Sequence, residues 1–372
     1  MELDRAAAGE RGLPGLPPRH DRPEDGAELL PVRRGRRRRA AAEPLRGTPP
    51  PLPPAPRPLE ARAARLAPGQ VMSAGAAGGA AFSVVVPVHD EAALLPETVP
   101  RLLDGLDPAA ELVFVCNGCS DGSAAILRGL AGGRARVIEL AEAGKPGAIR
   151  AGEAAVAAFP RVYLDADVWI SGAAVTALVA VQRAGGWELV SPLLRADTAG
   201  ASRLARWVTR VWLATPHMRH AGFHCVLAVS REGRARWDAF PDLTNDDDFI
   251  VGRISVDRRA IVSEIRATIR PPRSFAAWVR VRERWARGGR ELARSGLIAH
   301  PGPGPGYRAL LRLLPRRPLP VLAYLAAVIS ARIRARRDPD RAVGWYRDPT
   351  SRAHAPHEPP VADRRLAADA GG

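Results

Sequence analysis

Lysine is almost missing from this sequence. Of its 55 Lys+Arg residues only Lys145 is a lysine, so every other positive charge is an arginine. Cysteine is nearly as scarce. Cys116, Cys119 and Cys225 are the full set of 3, which excludes a disulfide-built scaffold and suits a reducing compartment. Aromatic residues make up 5% of the chain, which argues against the base-stacking platforms that hold single-stranded nucleic acid. A bilayer-spanning helix takes about 20 apolar residues, and the apolar segment Leu319–Ala331 is shorter than that. The N-terminus is charged and has no apolar signal-peptide core.

What remains is a chain of 372 residues, 46% hydrophobic, with a net charge of +16. That length holds one large domain or two ordinary ones. The charge calls for acidic partners: nucleotide phosphates, nucleic acid or anionic lipid. Glycine (35) and proline (36) are abundant and unevenly placed. Residues 1–80 carry PGLPP, RRGRRRR and TPPPLPPAPRP, a composition that cannot bury enough apolar surface to offset chain entropy and predicts a disordered arm. The run Arg36–Arg39 suits RNA or lipid headgroups. Equally it suits a solvated arm, or an upstream start that is not translated, with Met72 as the start before the first strand.

The pattern changes at residue 82. FSVVVPV (82–88) and ELVFVC (111–116) are continuous apolar runs, as in strands buried on both faces. Short strands are predicted at 136–140 and 161–164, and helices at 91–106, 121–130 and 148–159, with Asp121 in an N-cap role. Alternation at this spacing predicts an α/β fold with a mostly parallel sheet. Ligands bind such sheets beyond the carboxyl ends of the strands, here His89–Glu91, Asn117–Ser120 and Asp165–Asp167.

The rhythm then breaks. An amphipathic helix is expected over 201–220, a strand over 223–230, and a basic helix over 274–295 with a break at Gly288-Gly289. PGPGPG (301–306) reads as a hinge. Leu319–Ala331, bracketed by Arg316, Arg317, Arg332, Arg334, Arg336 and Arg337, suits an interfacial helix on anionic headgroups, or else a core helix packed on the domain. The division is therefore a disordered arm (1–80), a catalytic domain (81–298), a linker with membrane-associating helices (299–340), and a tail (341–372).

Three segments can carry chemistry. VYLDADV ends a buried strand in Asp165-Ala166-Asp167, and two carboxylates there suit a hard cation, Mg²⁺ or Mn²⁺, on a diphosphate. NDDDF places Asp246, Asp247 and Asp248 side by side. Crowding raises at least one of their pKa values towards that of a general base. The alternative is a helix start, capped by Thr244 or Asn245, with acids favoured by the dipole. Lys145 lies in EAGKPGAIRAG, a turn that can meet phosphate.

Taken in order, these segments resemble a family 2 glycosyltransferase of the GT-A fold over roughly 82–295. FSVVVPVHDE resembles the family's opening strand and turn, VCNGCSDGS its acidic turn, GKPGAIRAG its lysine segment, LDADV its DxD, NDDDF its base segment, and VRERW its Q-x-x-R-W helix. WYRDPTSR (345–352) resembles the tail of actinobacterial-type members. The resemblance implies a Rossmann-like, mostly parallel sheet and a metal-dependent, inverting, hexosyltransferase-type enzyme. Its donor would be a nucleotide sugar and its acceptor a hydroxyl of a glycan or lipid. It implies donor contacts from Pro87, His89, Glu91, Asn117, Lys145, Asp165, Arg282, Arg284 and Trp285, a metal on Asp165 and Asp167, and a base at Asp247 or its neighbours Asp246 and Asp248. It also implies a cytoplasmic location, peripheral at the inner face of the cell membrane, in cell-envelope synthesis. Two departures stand out. Cys116-Asn117 replaces the usual aspartate at the base, and Val281 replaces the glutamine of the helix motif.

Other readings compete. CNGC (116–119) is a C-x-x-C, as in redox proteins. His217, His220, His224 and Cys225 are a conceivable zinc set. A basic protein binding nucleic acid or anionic lipid, or a catalytically inactive GT-A scaffold, are the alternative functions.

Overall fold

The computed structural model describes residues 81–215, 218, 223–299 and 307–337. The expected arm (1–80), hinge (301–306) and tail (341–372), with His217 and His220, lie outside the described residues. The described residues form one eight-stranded sheet with helices on both faces.

Strand β1 (Ser83–Val88) lies between β2 (Glu111–Asn117) and β4 (Arg161–Leu164), parallel to both. Beyond β2 comes β3 (Arg136–Leu140), also parallel. These strands read as unbroken apolar runs because the pleat sends alternate residues to two cores. Val84, Val86 and Val88 pack on one side with Phe114 and Leu178. Val85, Val113 and Val115 pack on the other with Ile149 and Phe249.

The far half of the sheet is mixed. Strand β7 (Val226–Val229) runs antiparallel to β4 and to β6 (Leu189–Ala196). Strand β8 (Arg259–Ile269) is parallel to β6, and the short β5 (Val168–Trp169) closes the edge antiparallel to β8. The expectation of a mostly parallel sheet therefore holds for β1–β4. The antiparallel β7 follows α5 and fills the place between β4 and β6. Its entry lies beside the carboxyl end of β4, with Leu164 paired to Val226.

The helices are α1 (Leu95–Leu103), α2 (Ser123–Ala131), α3 (Lys145–Ala154), α4 (Gly172–Gly185), α5 (Arg203–Ala214), α6 (Arg231–Arg234), α7 (Asp246–Arg253), α8 (Phe275–Ser295), α9 (Tyr307–Leu313) and α10 (Pro318–Arg337). Three differences from expectation bear on the site. Helix α3 starts at Lys145, not Ala148, because Pro146 suits a first turn. In the same helix Gly152 leaves no room for a Cβ beside Val85, so α3 lies close on β1. Asp121 is not the cap of α2: Gly122 holds that position, and Asp121 instead accepts from Ser123 N at 3.0 Å and Ala92 N at 2.9 Å. Helix α8 runs unbroken through Gly288-Gly289.

A third core lies between α5, α8 and α10. Trp278 is 0% exposed there and meets Trp212 edge-on at 5.3 Å between ring centres, with Trp285 on both. Losing a side chain so buried costs about 3–5 kcal/mol. Helix α10 contributes Val321, Tyr324, Ala327 and Ala331 to this core. It is long and apolar enough to cross a membrane by length and composition, yet a third (33%) of its apolar window is buried against the protein.

Candidate active site

Asp165, Asp246 and Asp247 meet at the carboxyl edge of the parallel strands. One residue ties Asp165 to Asp247. Cys225, at the entry to β7, has φ +64, a left-handed conformation that a non-glycine residue adopts only when its surroundings hold it there. In that pose its carbonyl accepts from Asp165 N at 2.9 Å and its N–H donates to Asp247 Oδ2 at 3.2 Å. The three acids of the second segment open α7, where the helix dipole favours them. Asn245 occupies the cap position without capping. Its Nδ2 donates instead to Asp248 Oδ2 at 2.9 Å.

Lys145 closes the arrangement. Its Nζ lies 2.7 Å from Asp165 Oδ1 and 2.6 Å from Asp246 Oδ2, with the lysine side chain 12% exposed. A compact ammonium with three donors fits between carboxylates from two elements; a planar guanidinium is broader and fixed in its fork. That is why lysine stands here in a chain that otherwise uses arginine. Burial works against the charge on Lys145, but Asp165, Asp246 and Asp247 more than offset it and hold its pKa well above the ordinary value.

The carboxyls are not equivalent. Burial raises Asp165 and Asp246, with the neighbouring acids adding to the rise and Lys145 opposing it. Burial acts on Asp247 as well, yet Lys145, His224 and the Cys225 N–H together draw it below the ordinary carboxylate range. His224 Nδ1 is 3.8 Å from Asp247 Oδ2. The imidazole is penalised by burial, but Asp247, Asp248 and Asp165 raise its pKa overall.

Donor atoms of Asp165, Cys225 and Asp247 lie within 4.8 Å of one another. Two carboxylate oxygens suit a hard divalent cation. The Cys225 thiol does not: burial and the adjacent Asp165 and Asp247 push its pKa well up, which keeps it protonated and soft. Asp167, expected as the second ligand, is not one of these three. The carboxylate that joins Asp165 comes from α7, a partner that a sequence motif cannot reveal.

The remaining predicted residues fall into two groups. Around the β1 and β2 ends, Pro87 is a buried strand residue paired with Val115. Asn117, 0% exposed, donates from Nδ2 to Val88 O at 2.7 Å and accepts from Gly144 N at 2.9 Å. The amide expected to read a base edge thus fastens the turn before Lys145 to β1. His89 Nδ1 is 2.6 Å from Asn117 O, and the backbone N–H of the buried Glu91 donates to Ser123 Oγ at 2.9 Å. Cys119 Sγ lies 3.4 Å from Val88 O. Burial and Cys119 push the Cys116 thiol up to about 12, the opposite of a redox-active thiol.

On α8, Arg282 points away from the acids. Its Nη2 donates to Tyr324 Oη of α10 at 2.9 Å, with the guanidinium 4.6 Å over that ring. Trp285 belongs to the tryptophan core. Arg284 is half-buried on the same helix. The helix still reaches the acidic site: Gly288 lies so close to Asn245 that a Cβ has no room, and Glu291 accepts from Thr244 N at 3.0 Å. Sequence reasoning missed Cys225, Asn245, Gly288 and Tyr324 as site-building residues. Cys225 and Asn245 were visible there in other roles, a zinc set and a helix cap, and the glycine pair as a helix break; Tyr324 left no trace.

The mixed α/β sheet flanked by helices, with the acidic cleft at its carboxyl edge, is a GT-A fold. Residues 83–217 match the glycosyl transferase family 2 model, which marks this stretch as a glycosyltransferase domain. The chain is similar to several solved structures. One is a mannosyltransferase from Pyrobaculum calidifontis, solved with GDP-Man and Mn²⁺ (21% identity, 70% of this chain and 75% of that one, TM-score 0.47). Another is glucosyl-3-phosphoglycerate synthase from Mycobacterium tuberculosis, solved with Mn²⁺, UDP and glucosyl-3-phosphoglycerate (22%, 54% and 74%, TM-score 0.37). A third is S. aureus TarS with UDP (12%, 54% and 63%, TM-score 0.40). No curated protein matches the chain.

Proposed function

We propose that this chain moves a sugar, with inversion, from a nucleotide-sugar donor to a hydroxyl acceptor of a glycan or lipid at the membrane. The observation that carries this reading is Lys145 held between Asp165 and Asp246, with Asp247 beside them. Asp165 and Asp247 are the residues that would hold Mg²⁺ or Mn²⁺, which supplies charge neutralisation for the donor diphosphate. Lys145 offers a fixed positive charge to the departing diphosphate, the electrostatic contribution that dominates such transfers.

Asp246 is the general base of this reading. Its raised pKa makes it the better proton acceptor, whereas Asp247, the base expected from the sequence, is held low and stays ionised. The base of the donor is contacted by the His89–Glu91 loop, whose shape Asn117 fixes. In this reading Arg282, bonded to Tyr324, fastens α10. The test is binding of UDP-, GDP-, TDP- and CDP-sugars with and without Mn²⁺, beside Asp165→Asn and Asp247→Asn. Metal-dependent binding that both variants lose supports the reading. No binding to folded protein overturns it in favour of an inactive scaffold.

A further inference from the structure

A second charged feature lies outside the cleft. Helix α5 and the start of α10 enclose a groove of roughly 400 Å³ lined by Trp207, Arg210, Arg316, Arg317, Leu319 and two prolines. Three arginines line it, all exposed, and among the described residues no carboxylate pairs with any of them. The first turn of α10, residues 318–321, lines the same groove; its two prolines carry no N–H and Val321 N donates to Arg317 O at 3.2 Å, so the positive character comes from the arginine side chains. Neither residues 203–214 nor residues 307–337 contain a single Asp or Glu. Like charges gathered in a concave site repel unless an anion is seated among them.

Beside the groove runs an apolar stripe. Leu319, Leu322, Ile329 and Ile333 of α10 are 58%, 55%, 55% and 45% exposed. At 100° per residue they fall within an arc of about 80°, and they extend about 21 Å along the helix. The opposite face of α10 carries Val321, Tyr324, Ala327 and Ala331 into the core. The helix is therefore sided: one face belongs to the protein, and the other is apolar with arginines at both ends.

We propose that the groove is a phosphate site for an anionic membrane-lipid headgroup, and that α10 lies along the bilayer surface with its stripe in the apolar layer. The proposal deepens the membrane contact in the proposed function and rests on that contact, not on the sugar chemistry. Charge beside apolar surface is what an anionic lipid offers, phosphate above and acyl chain below. A nucleic acid leaves the stripe uncovered. Trp207 at the rim is the residue type that sits at a headgroup boundary. A helix with one face committed to protein lies in the surface and does not cross it.

The experiment is co-sedimentation of the full chain with vesicles of phosphatidylcholine alone and of phosphatidylcholine doped with phosphatidylglycerol. Both are repeated with Arg36–Arg39 changed to glutamine, which removes the basic N-terminal run. In that background the proposal expects salt-sensitive binding to the doped vesicles. An arginine near an anionic surface is worth about fivefold, so Arg210→Gln/Arg316→Gln/Arg317→Gln weakens binding on the order of a hundredfold. Leu322→Gln/Ile329→Gln weakens it with the salt dependence unchanged. Unaltered melting and nucleotide-sugar binding show that the variants fold. Equal binding to both vesicle types, or a triple variant that binds like the parent, overturns the proposal. So does release from vesicles by millimolar inorganic phosphate, which marks a site for a free anion. Loss of nucleotide-sugar binding with vesicle binding intact overturns the enzyme reading and leaves this one standing.

Discussion

The cleft and the α5–α10 face are both strongly charged, and they handle charge in opposite ways. In the cleft, Lys145 is balanced by carboxylates on both sides, within 2.7 Å. On the outer face, Arg210, Arg316 and Arg317 share a groove with no acid paired to them among the described residues. Paired charge in a half-buried site is preorganised, because its geometry is fixed before a ligand arrives. Unpaired charge at a surface contributes little to the fold and is left for a partner. Helix α8 joins the two regions, with Gly288 against Asn245 at one place and Arg282 on Tyr324 at another.

The largest effect should come from breaking the paired region. Lys145→Met leaves three acids crowded without their cation. Removing one member of such a buried network costs about 3 kcal/mol, and turnover should fall about 100-fold or more. Lys145→Arg keeps the charge but not the shape, and should fail to restore turnover. Thermal unfolding and steady-state kinetics on both variants read the two effects separately. A fully active Met variant would make Lys145 a structural ion and no more.

Next in size is the junction between α8 and the acidic segment. Gly288→Ala forces a methyl group against Asn245, whose side chain also holds Asp248. Overpacking of this kind costs about 1–3 kcal/mol. Turnover should drop by more than the stability loss explains, because Asn245 carries the turn that presents Asp246. If melting falls while kcat is unchanged, the helix merely packs against the cleft and does not shape it.

Much of this arrangement was legible in the sequence, and its limits are instructive. The strands at 136–140 and 161–164 are both legible to the residue, but for different reasons: the second is buried along its whole length, whereas the first is an edge strand, exposed at Arg136 and Glu139, and shows through its Val137-Ile138 pair between polar turns. Lys145, Asp165 and the acids at 246–248 could be singled out by scarcity and by position after strands. Their partners could not. Asp165 meets Asp247 through the strained backbone of Cys225, a contact across 82 residues of chain that no local pattern encodes. Arg282 and Trp285 were placed at the donor by motif likeness alone. Their actual neighbours, Tyr324 and Trp212, lie on α10 and α5, helices whose packing no motif specifies. The proposed base, Asp246, differs from the expected Asp247 for the same reason: the difference between the two carboxyls is set by neighbours from other elements.

A moderate effect is expected where the two regions communicate. Tyr324→Phe removes the hydroxyl that accepts from Arg282 Nη2. Burial already lowers the pKa of that guanidinium, and its Nη1 lacks a partner among the described residues. Leaving a second buried donor unsatisfied costs about 1–3 kcal/mol. Amide exchange should quicken first in α10, ahead of the sheet. Uniform loss of protection across the sheet instead would show that α10 is part of the central core rather than a separately held face.

The smallest effect tests the unpaired side of the comparison. Arg316→Gln/Arg317→Gln removes two positive charges from the groove without removing any salt bridge. Surface changes away from caps, cavities and networks stay within about 0.5 kcal/mol. Here the sign should lean towards stabilisation, because the lost cations repel Arg210. The expected melting temperature is unchanged or slightly higher, most visibly at low salt, where screening is weakest. A clear loss of stability would mean that these arginines already hold something within the fold, and the contrast between a self-balanced cleft and a partner-seeking face would then fail.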